Sequence, residues 1–127
     1  MVSSTVDRLL RVSQYLNLET TGRRTGRPHT VELSFVYDGE AICFLAGRGG
    51  KVDWVKNIRK EPRARVKVGG RVFPSRAEIA RQTQVEHILE MFRDKYGTRY
   101  VKTWYESTAR LPVRVTITTA AREGGRG

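Results

Sequence analysis

Hydrophobic and polar residues alternate in short stretches along most of the chain, a pattern typical of half-buried β-strands. This two-residue period predicts strands at 16–21, 28–37, 40–46, 63–68, 71–79 and 111–117. Asp38-Gly39 and Gly69-Gly70 each separate two successive strands, and such dipeptides favour tight hairpins. The strands that flank these dipeptides are therefore predicted to pair antiparallel.

Hydrophobic residues recur every three or four positions in three other segments. This period predicts helices at 6–16, 53–60 and 81–95, of which the second stops at Glu61-Pro62 and the third at Gly97. Few helices and six short strands with hairpin turns are typical of a small antiparallel barrel, closed or half open. We therefore predict one barrel domain at 1–119 and a flexible tail at 120–127.

Composition and charge indicate the expected compartment and the expected charge of the partner. The chain has 127 residues and one cysteine, Cys43, so no intrachain disulfide is possible and a reducing, cytoplasmic compartment is expected. No apolar run approaches the roughly 20 residues that span a bilayer, and the first residues do not resemble a signal peptide. The net charge of +11 favours an anionic partner.

Two glycine- and arginine-rich turns lie beside predicted strands. The first reads Thr20-Thr21-Gly22-Arg23-Arg24-Thr25-Gly26-Arg27, and the second reads Ala46-Gly47-Arg48-Gly49-Gly50-Lys51. Glycine allows backbone N–H groups to face a ligand, and guanidinium groups match phosphate oxygens in pairs. We therefore predict an anion site at one end of the barrel, with a phosphate-bearing small molecule as its ligand.

Several other chemistries are disfavoured. Val52 follows Gly50-Lys51 where a phosphate-binding P-loop needs Ser or Thr for magnesium. His29 and His87 are far apart, and paired metal-ligand spacings are absent from the sequence, so no metal site is predicted. His87 is expected on a helix surface and His29 on a strand near the first turn. The apolar neighbours of Cys43 indicate an inert core thiol.

Aromatic residues are concentrated just before the last strand. Tyr96, Tyr100 and Trp104 recur every four residues, which places them on one face of a helix, and Tyr105 follows. They are interpreted either as a packed cap on the core or as a movable wall against which a planar substrate stacks. Trp54 has the same ambiguity between the core and a ring pocket.

Five motifs in this order resemble the deazaflavin-dependent nitroreductase family. They are residues 20–28, Phe35-Val36-Tyr37-Asp38-Gly39, Ala46-Gly47-Arg48-Gly49-Gly50, Trp54-Val55-Lys56-Asn57-Ile58 and Glu61-Pro62. The resemblance runs from about Leu18 to Arg71. It implies an FMN-binding split-barrel-like fold, related to pyridoxamine-phosphate-oxidase-like proteins. It also implies coenzyme F420, a deazaflavin whose tail carries a phosphate and a polyglutamate chain.

The resemblance also implies roles for individual residues. Arg23, Arg24 and Thr25 would hold the tail, Arg48, Gly49 and Gly50 would lie near the phosphate and ribityl chain, and Trp54 and Asn57 would line the groove. The predicted cofactor set is completed by Gly26, Arg27, Ala46, Gly47 and Lys51.

On the acceptor side, Tyr96, Tyr100, Trp104 and Tyr105 would contact the substrate, with the Tyr100 hydroxyl as a candidate catalytic proton donor. The implied reaction is hydride transfer to a conjugated acceptor such as a quinone or nitroaromatic compound. A homodimer is expected from the family.

Two alternatives keep the barrel but change its partner. FMN carries a phosphate without polyglutamate and would need fewer basic residues. A non-catalytic nucleic-acid-binding barrel would use the net charge and the outward row of Arg63, Arg65 and Lys67. The aromatic residues do not interleave with that row, as a base-stacking platform would require, so nucleic acid is the less favoured partner.

Overall fold

A computed structural model describes residues 3–118, so the end of the predicted domain at 119 and the predicted tail at 120–127 lie outside the described residues. The helices are α1 Ser4–Val12, α2 Asp53–Lys60, α3 Val85–Tyr96 and α4 Thr98–Trp104. The strands are β1 Tyr15–Thr21, β2 Pro28–Ser34, β3 Val36–Tyr37, β4 Ile42–Ala46, β5 Arg63–Val68, β6 Arg71–Ile79 and β7 Leu111–Ile117. Short 3-10 turns occupy Arg48–Gly50 and Gln82–Gln84.

All strands belong to one antiparallel sheet in the order β2-β1-β5-β6-β7-β4-β3. Its two edge strands, β2 and β3, are separated in sequence only by Phe35. A flat sheet would hold these edges five strands apart, so the sheet must curl until its edges nearly meet. The predicted antiparallel half-open barrel is therefore confirmed, with seven strands in place of six.

The additional strand arises because the predicted strand 28–37 is divided at Phe35. The ring of Phe35 is fully buried in the barrel core, and its backbone N–H donates to the Tyr96 hydroxyl at 3.0 Å. Its carbonyl accepts from Lys95 Nζ at 2.9 Å. Because α3 satisfies both backbone groups, the chain leaves β1 at this residue and pairs with β4 instead.

The hairpin predicted at Asp38-Gly39 joins β3 to β4, with Val36 opposite Cys43. The hairpin predicted at Gly69-Gly70 joins β5 to β6, and both glycines have positive φ. These two turns confirm the antiparallel pairing that the dipeptides predicted.

Alternation along the strands separates two hydrophobic clusters. Inside the barrel, Leu18, Phe44, Val66 and Val113 are at most 1% exposed, and α2 covers them with apolar side chains that include Trp54. On the outer face, α3 and α4 pack on β3 and β4. Because burial of apolar surface contributes roughly 25 cal/mol per Å², these two interfaces hold the helices against the sheet.

Helix boundaries differ modestly from the predicted ones. The first helix ends at Val12 because Ser13 adopts an extended backbone, and β1 follows two residues later. The third begins with a 3-10 turn before its α-helical part starts at Val85. Gly97, with φ of 98°, separates α3 from α4 as predicted. Within residues 3–118, no helix is long and apolar enough to cross a bilayer.

Candidate functional site

A groove runs between the β1–β2 turn, β2 and the start of α2. It consists of a cleft of about 540 Å³ and an adjoining cavity of about 250 Å³, both bordered by His29, Asp53 and Asn57. Arg48, Lys51 and Trp54 are among the residues around the larger cleft, and the β1–β2 turn borders the smaller cavity. The combined space is large enough for an extended cofactor, because ligand pockets are generally about 300–1,000 Å³.

Seven of the predicted cofactor residues border this groove: Arg23, Arg24, Thr25, Arg48, Lys51, Trp54 and Asn57. The others, which build the flanking turns or the core behind them, are Gly26, Arg27, Ala46, Gly47, Gly49 and Gly50. The two glycine-rich turns are therefore found at one groove, as the sequence predicted.

Asn57 is a buried polar residue that fixes the first turn to α2. Its side-chain oxygen accepts from the Arg23 backbone N–H at 3.2 Å and from the Arg23 guanidinium at 3.0 Å. Its Nδ2 donates to Thr20 Oγ1 at 3.1 Å. Asn57 therefore borders the groove as predicted, while its amide is occupied by β1 and the turn.

Arg23 is held by the protein itself. Besides Asn57, its guanidinium contacts Asp53 at 3.3 Å, and its carbonyl accepts from Lys60 Nζ at 3.0 Å. These contacts hold the turn against α2. Arg24, the next residue, is exposed and borders the smaller cavity.

The expectation that the glycine turns present free amides to a ligand is wrong for four amides. Gly22 N–H donates to Arg27 O at 2.7 Å, and Gly26 N–H donates to Gly22 O at 2.8 Å. In the second turn, Gly49 N–H donates to Ala109 O at 3.1 Å and Gly50 N–H to Gly47 O at 2.9 Å. Since these amides close the turns, the arginine and lysine side chains of the two turns are left as the main anion-binding groups.

Arg48 is the only non-glycine residue with positive φ within residues 3–118, at 54°. An arginine in this left-handed region carries backbone strain, which the neighbouring contacts must offset. Gly49 and Gly50, the next two residues, also have positive φ. A Cβ on Gly50 would lie 2.6 Å from Leu111, so glycine is required there by close packing as well.

Three cations without an ion-pair partner among the described residues border the groove. Within residues 3–118, Arg24, Arg48 and Lys51 have no ion-pair partner. The α2 N-terminus lies at the same place and has no side-chain cap. Its first-turn N–H groups and positive dipole end add to the field of the three side chains. The groove therefore attracts an anionic ligand.

Sequence reasoning placed His29 on a strand near the first turn but did not include it in the site. It lies opposite Thr20 in the β1–β2 pair and borders both cavities. Its imidazole lies over Gly22, where a Cβ would come within 2.7 Å of His29 Cδ2. The signal that could have found it is its position in the hairpin opposite the motif threonine.

Trp54 belongs both to the core and to the groove. It is 9% exposed and packs edge-on against Phe44, with ring centroids 5.7 Å apart, while it also borders the larger cleft. Thr30 and Val31 of β2 form part of the facing border. This end of the groove therefore offers an indole and a β-strand to a flat ring.

The predicted aromatic face is correct for Tyr96 and Tyr100 but wrong for Trp104, the last residue of α4. Tyr96 and Tyr100 stack with centroids 5.1 Å apart, and Tyr105 joins them at 6.1 Å from Tyr100. Trp104 makes no ring contact with these tyrosines and is 62% exposed. The three tyrosines pack on the outer cluster around Phe92 and do not border the two cavities of the groove.

The tyrosine hydroxyls connect this cluster to the barrel. Tyr96 donates to the Gln14 carbonyl at 2.6 Å, and burial raises the pKa of Tyr96 to about 12. Burial also raises the pKa of Tyr105. Tyr100 shares a hydrogen bond of 3.1 Å with the Ser34 hydroxyl at the end of β2. Since β2 also borders the groove, Ser34 connects the aromatic cluster to the groove wall.

Cys43 is buried on the outer face of β4, and burial raises the pKa of its thiol to about 11. The thiolate is therefore disfavoured at neutral pH, in agreement with the prediction of an inert thiol. His87 lies exposed on α3, as predicted. Within residues 3–118, no group of three His, Cys, Asp or Glu side chains is arranged to hold a metal ion.

The outward basic row proposed for nucleic acid is paired with carboxylates. Arg65 and Lys67 both contact Glu19, at 3.6 Å and 2.7 Å, and Arg63 contacts Glu61 at 3.0 Å. These pairs reduce the positive potential of this face. The row therefore gives less support to a nucleic-acid partner than the sequence indicated.

Comparison with known proteins finds relatives by sequence and, separately, solved structures with the same fold. An F420H(2)-dependent quinone reductase from Mycobacterium tuberculosis is 28% identical over 109 residues, which cover 82% of this chain and 72% of that protein. A putative F420H(2)-dependent quinone reductase from Mycobacterium bovis matches with the same values.

Solved structures show the fold. An F420-H2 dependent reductase has a TM-score of 0.63 and 22% identity, with 81% of this chain and 93% of that chain covered. A putative pyridoxamine 5'-phosphate oxidase from Listeria innocua has a TM-score of 0.68 and 13% identity, with 90% and 91% covered. The predicted split-barrel fold is therefore confirmed.

A family model described as F420H(2)-dependent quinone reductase matches residues 2–118, which is nearly the whole chain. This match confirms the predicted class of F420-dependent oxidoreductase and the predicted cofactor, F420, over the alternative FMN. The chain belongs to the F420H(2)-dependent quinone reductase family.

Proposed function

We propose that this protein binds F420H2 along the groove and reduces a quinone at the end bordered by β2 and Trp54. The observation that carries the proposal is that three cations without an ion-pair partner in the described part of the chain, Arg24, Arg48 and Lys51, border a groove of suitable size. A polyanionic tail and a flat ring match these cations and the indole.

The tail is assigned to the cationic part of the groove. Arg48, Lys51 and the α2 N-terminus would hold the phosphate, because they meet at the larger cleft. Arg24 would contact tail carboxylates at the smaller cavity. Arg23 has a different role, since its bonds to Asn57 and Asp53 hold the turn that presents Arg24.

When bound, the reduced deazaflavin supplies the hydride, so the protein has to bind, orient and exclude water. Trp54 offers one apolar face to the ring system, and its packing against Phe44 fixes the orientation of the indole. Thr30 and Val31 limit the ring from the side of β2. A fixed indole and a rigid strand favour one approach geometry for the acceptor.

Quinone reduction also requires a proton, and the Ser34–Tyr100 hydroxyl pair is proposed to supply it. Ser34 lies three residues after Val31 on β2, a distance of about 10 Å along the strand. A quinone ring reaching from the cleft toward Tyr100 would therefore extend along β2. The exposed Trp104 and the partly buried Tyr105 are assigned to the outer part of this acceptor side, while Tyr96 holds Phe35.

A homodimer and a cytoplasmic location are part of the proposal as well. The dimer is supported by the family resemblance, and the reducing compartment is supported by the single buried Cys43. Sedimentation of the purified chain at several concentrations tests the first. A monomer at all concentrations would contradict it.

The proposed function is tested by titrating the protein with F420, FMN and a duplex oligonucleotide at low and high salt. F420 should bind most tightly and weaken with added salt, because the groove cations are exposed. Oxidation of F420H2 by a water-soluble quinone is then followed by absorbance. Tighter binding of FMN or of the oligonucleotide, or an absence of quinone-dependent oxidation, would contradict the proposal.

A further inference from the structure

Arg110 connects the end of α4 with the end of β4. Its guanidinium donates to three backbone carbonyls: Tyr105 O at 3.1 Å, Leu45 O at 3.2 Å and Trp104 O. It also lies over the Tyr105 ring, 4.4 Å from the centroid. Trp104 and Tyr105 end α4, where carbonyls lack helical partners and attract a cation.

Residues 109–111, which include Arg110, contact the turn 47–50 around Arg48 (the Arg48 turn) at three points. A Cβ on Gly47 would lie 3.2 Å from Arg110 Nη1, so the guanidinium packs directly on the Gly47 backbone. Ala109 O accepts from Gly49 N–H at 3.1 Å. Leu111 packs on Gly50, where an added Cβ would clash at 2.6 Å. Residues 109–111 therefore contact the turn both before and after Arg48.

The guanidinium has no ion-pair partner within residues 3–118 and is partly buried. Burial lowers the pKa of Arg110, which means that its environment disfavours the charge. A planar group with a fork of donors can satisfy three carbonyls at once, whereas a lysine ammonium would reach fewer of them in this arrangement. The site therefore depends on an arginine in particular.

We propose that Arg110 is a positioning residue that keeps Arg48 in its strained conformation at the F420 groove and connects this groove to the aromatic cluster. The inference rests on the proposed function, since Arg48 is assigned to the cofactor phosphate. Arg48 has φ of 54°, and neighbouring contacts must offset the cost of that conformation. Loss of the Arg110 contacts lets the turn relax and moves the Arg48 side chain away from the ligand.

The test is a double-mutant cycle on F420 affinity with the variants R110Q, R48A and R110Q/R48A. R110Q should raise the Kd of F420 about tenfold, and kcat at saturating F420H2 should change by less than about threefold because binding is lost uniformly. In the R48A background, R110Q should raise Kd less than about twofold, because it acts through Arg48. R110K keeps the charge with fewer donors and should fall between the wild type and R110Q.

The matched control is R93Q. Arg93 contacts three carboxylates on α3 and after α4 without touching the Arg48 turn, so its loss should leave the Kd of F420 unchanged. An unchanged Kd in folded R110Q would overturn the inference, and so would an equal effect of R110Q with and without Arg48. If R110Q does not fold, an R110K variant with wild-type affinity overturns it. Failure of the wild type to bind F420 would overturn the proposed function and this inference together.

Discussion

Replacing Asn57 by alanine tests how the first turn is anchored. Asn57 is 2% exposed, and its amide makes hydrogen bonds to the Arg23 backbone, the Arg23 guanidinium and the Thr20 hydroxyl. Alanine removes all three bonds. It leaves the Thr20 hydroxyl, itself 2% exposed, without its partner.

The expected loss of stability follows from the groups that are left unpaired. A buried polar group without a partner costs about 1–3 kcal/mol. In the variant, the Thr20 hydroxyl loses its donor and the Arg23 N–H loses its acceptor. The Arg23 guanidinium keeps its contact with Asp53 and can be rehydrated. We therefore expect the free energy of unfolding to fall by about 2–4 kcal/mol, less than the total stability of a typical domain.

Urea denaturation of the wild type and the variant measures this difference, provided that the slope of the transition is unchanged. Thr20→Val removes the stranded hydroxyl, so Asn57→Ala should cost about 1 kcal/mol less in that background. Asn17→Ala is the matched control on exposed β1 surface and should stay within about 0.5 kcal/mol of the wild type. A loss below about 0.5 kcal/mol for Asn57→Ala, or strict additivity with Thr20→Val, would refute the reasoning.

Three further predictions concern charge, pH and the proton donor. Replacing Arg24 or Arg48 by alanine should weaken F420 binding by about 1.5–3 kcal/mol, as for a lost charge-assisted hydrogen bond, whereas Arg65→Ala should change it by less than about 0.5 kcal/mol. Equal effects of the three substitutions in isothermal titration would contradict the groove assignment. Burial lowers the pKa of Lys95 from 10.5 to about 8, so the unfolded chain binds more protons than the folded chain between these pH values. The free energy of unfolding should therefore rise with pH across this window, by about 1 kcal/mol because the side chain is only partly buried. An equal rise in a Lys95→Met variant would count against Lys95 as the cause. Tyr100→Phe should lower kcat for the quinone about 100-fold with F420 affinity within about 0.5 kcal/mol, and unaltered steady-state kinetics would exclude the hydroxyl as proton donor.

The sequence by itself determined the elements that depend on local physics. Alternation at 63–68 predicted which side chains of β5 face the core, because successive residues on a strand point to opposite faces. Asp38-Gly39 and Gly69-Gly70 predicted two hairpins, because few residues tolerate the backbone of such tight turns. The glycine- and arginine-rich turns identified the groove and the family, since motif order and residue type are properties of the chain.

The tertiary structure alone decided where the strands change partners. Nothing in the alternation of residues 28–37 indicates a break at Phe35, because Val31, Leu33, Phe35 and Tyr37 continue the same period. The break depends on Lys95 and Tyr96, which lie some 60 residues later in the chain and bind the Phe35 backbone. The count of seven strands in place of six follows from this long-range contact.

Tertiary structure also decided which polar groups remain available to a ligand. The sequence shows Arg23 and Arg24 as equivalent neighbours, yet only Arg23 is held by Asn57, 34 residues away. The glycine amides, expected to face a ligand, close their own turns, and His29 enters the site through its place opposite Thr20. Residue type limits what a side chain can bind, but the free groups are those that the packed chain has left without a partner, and that depends on contacts between distant segments.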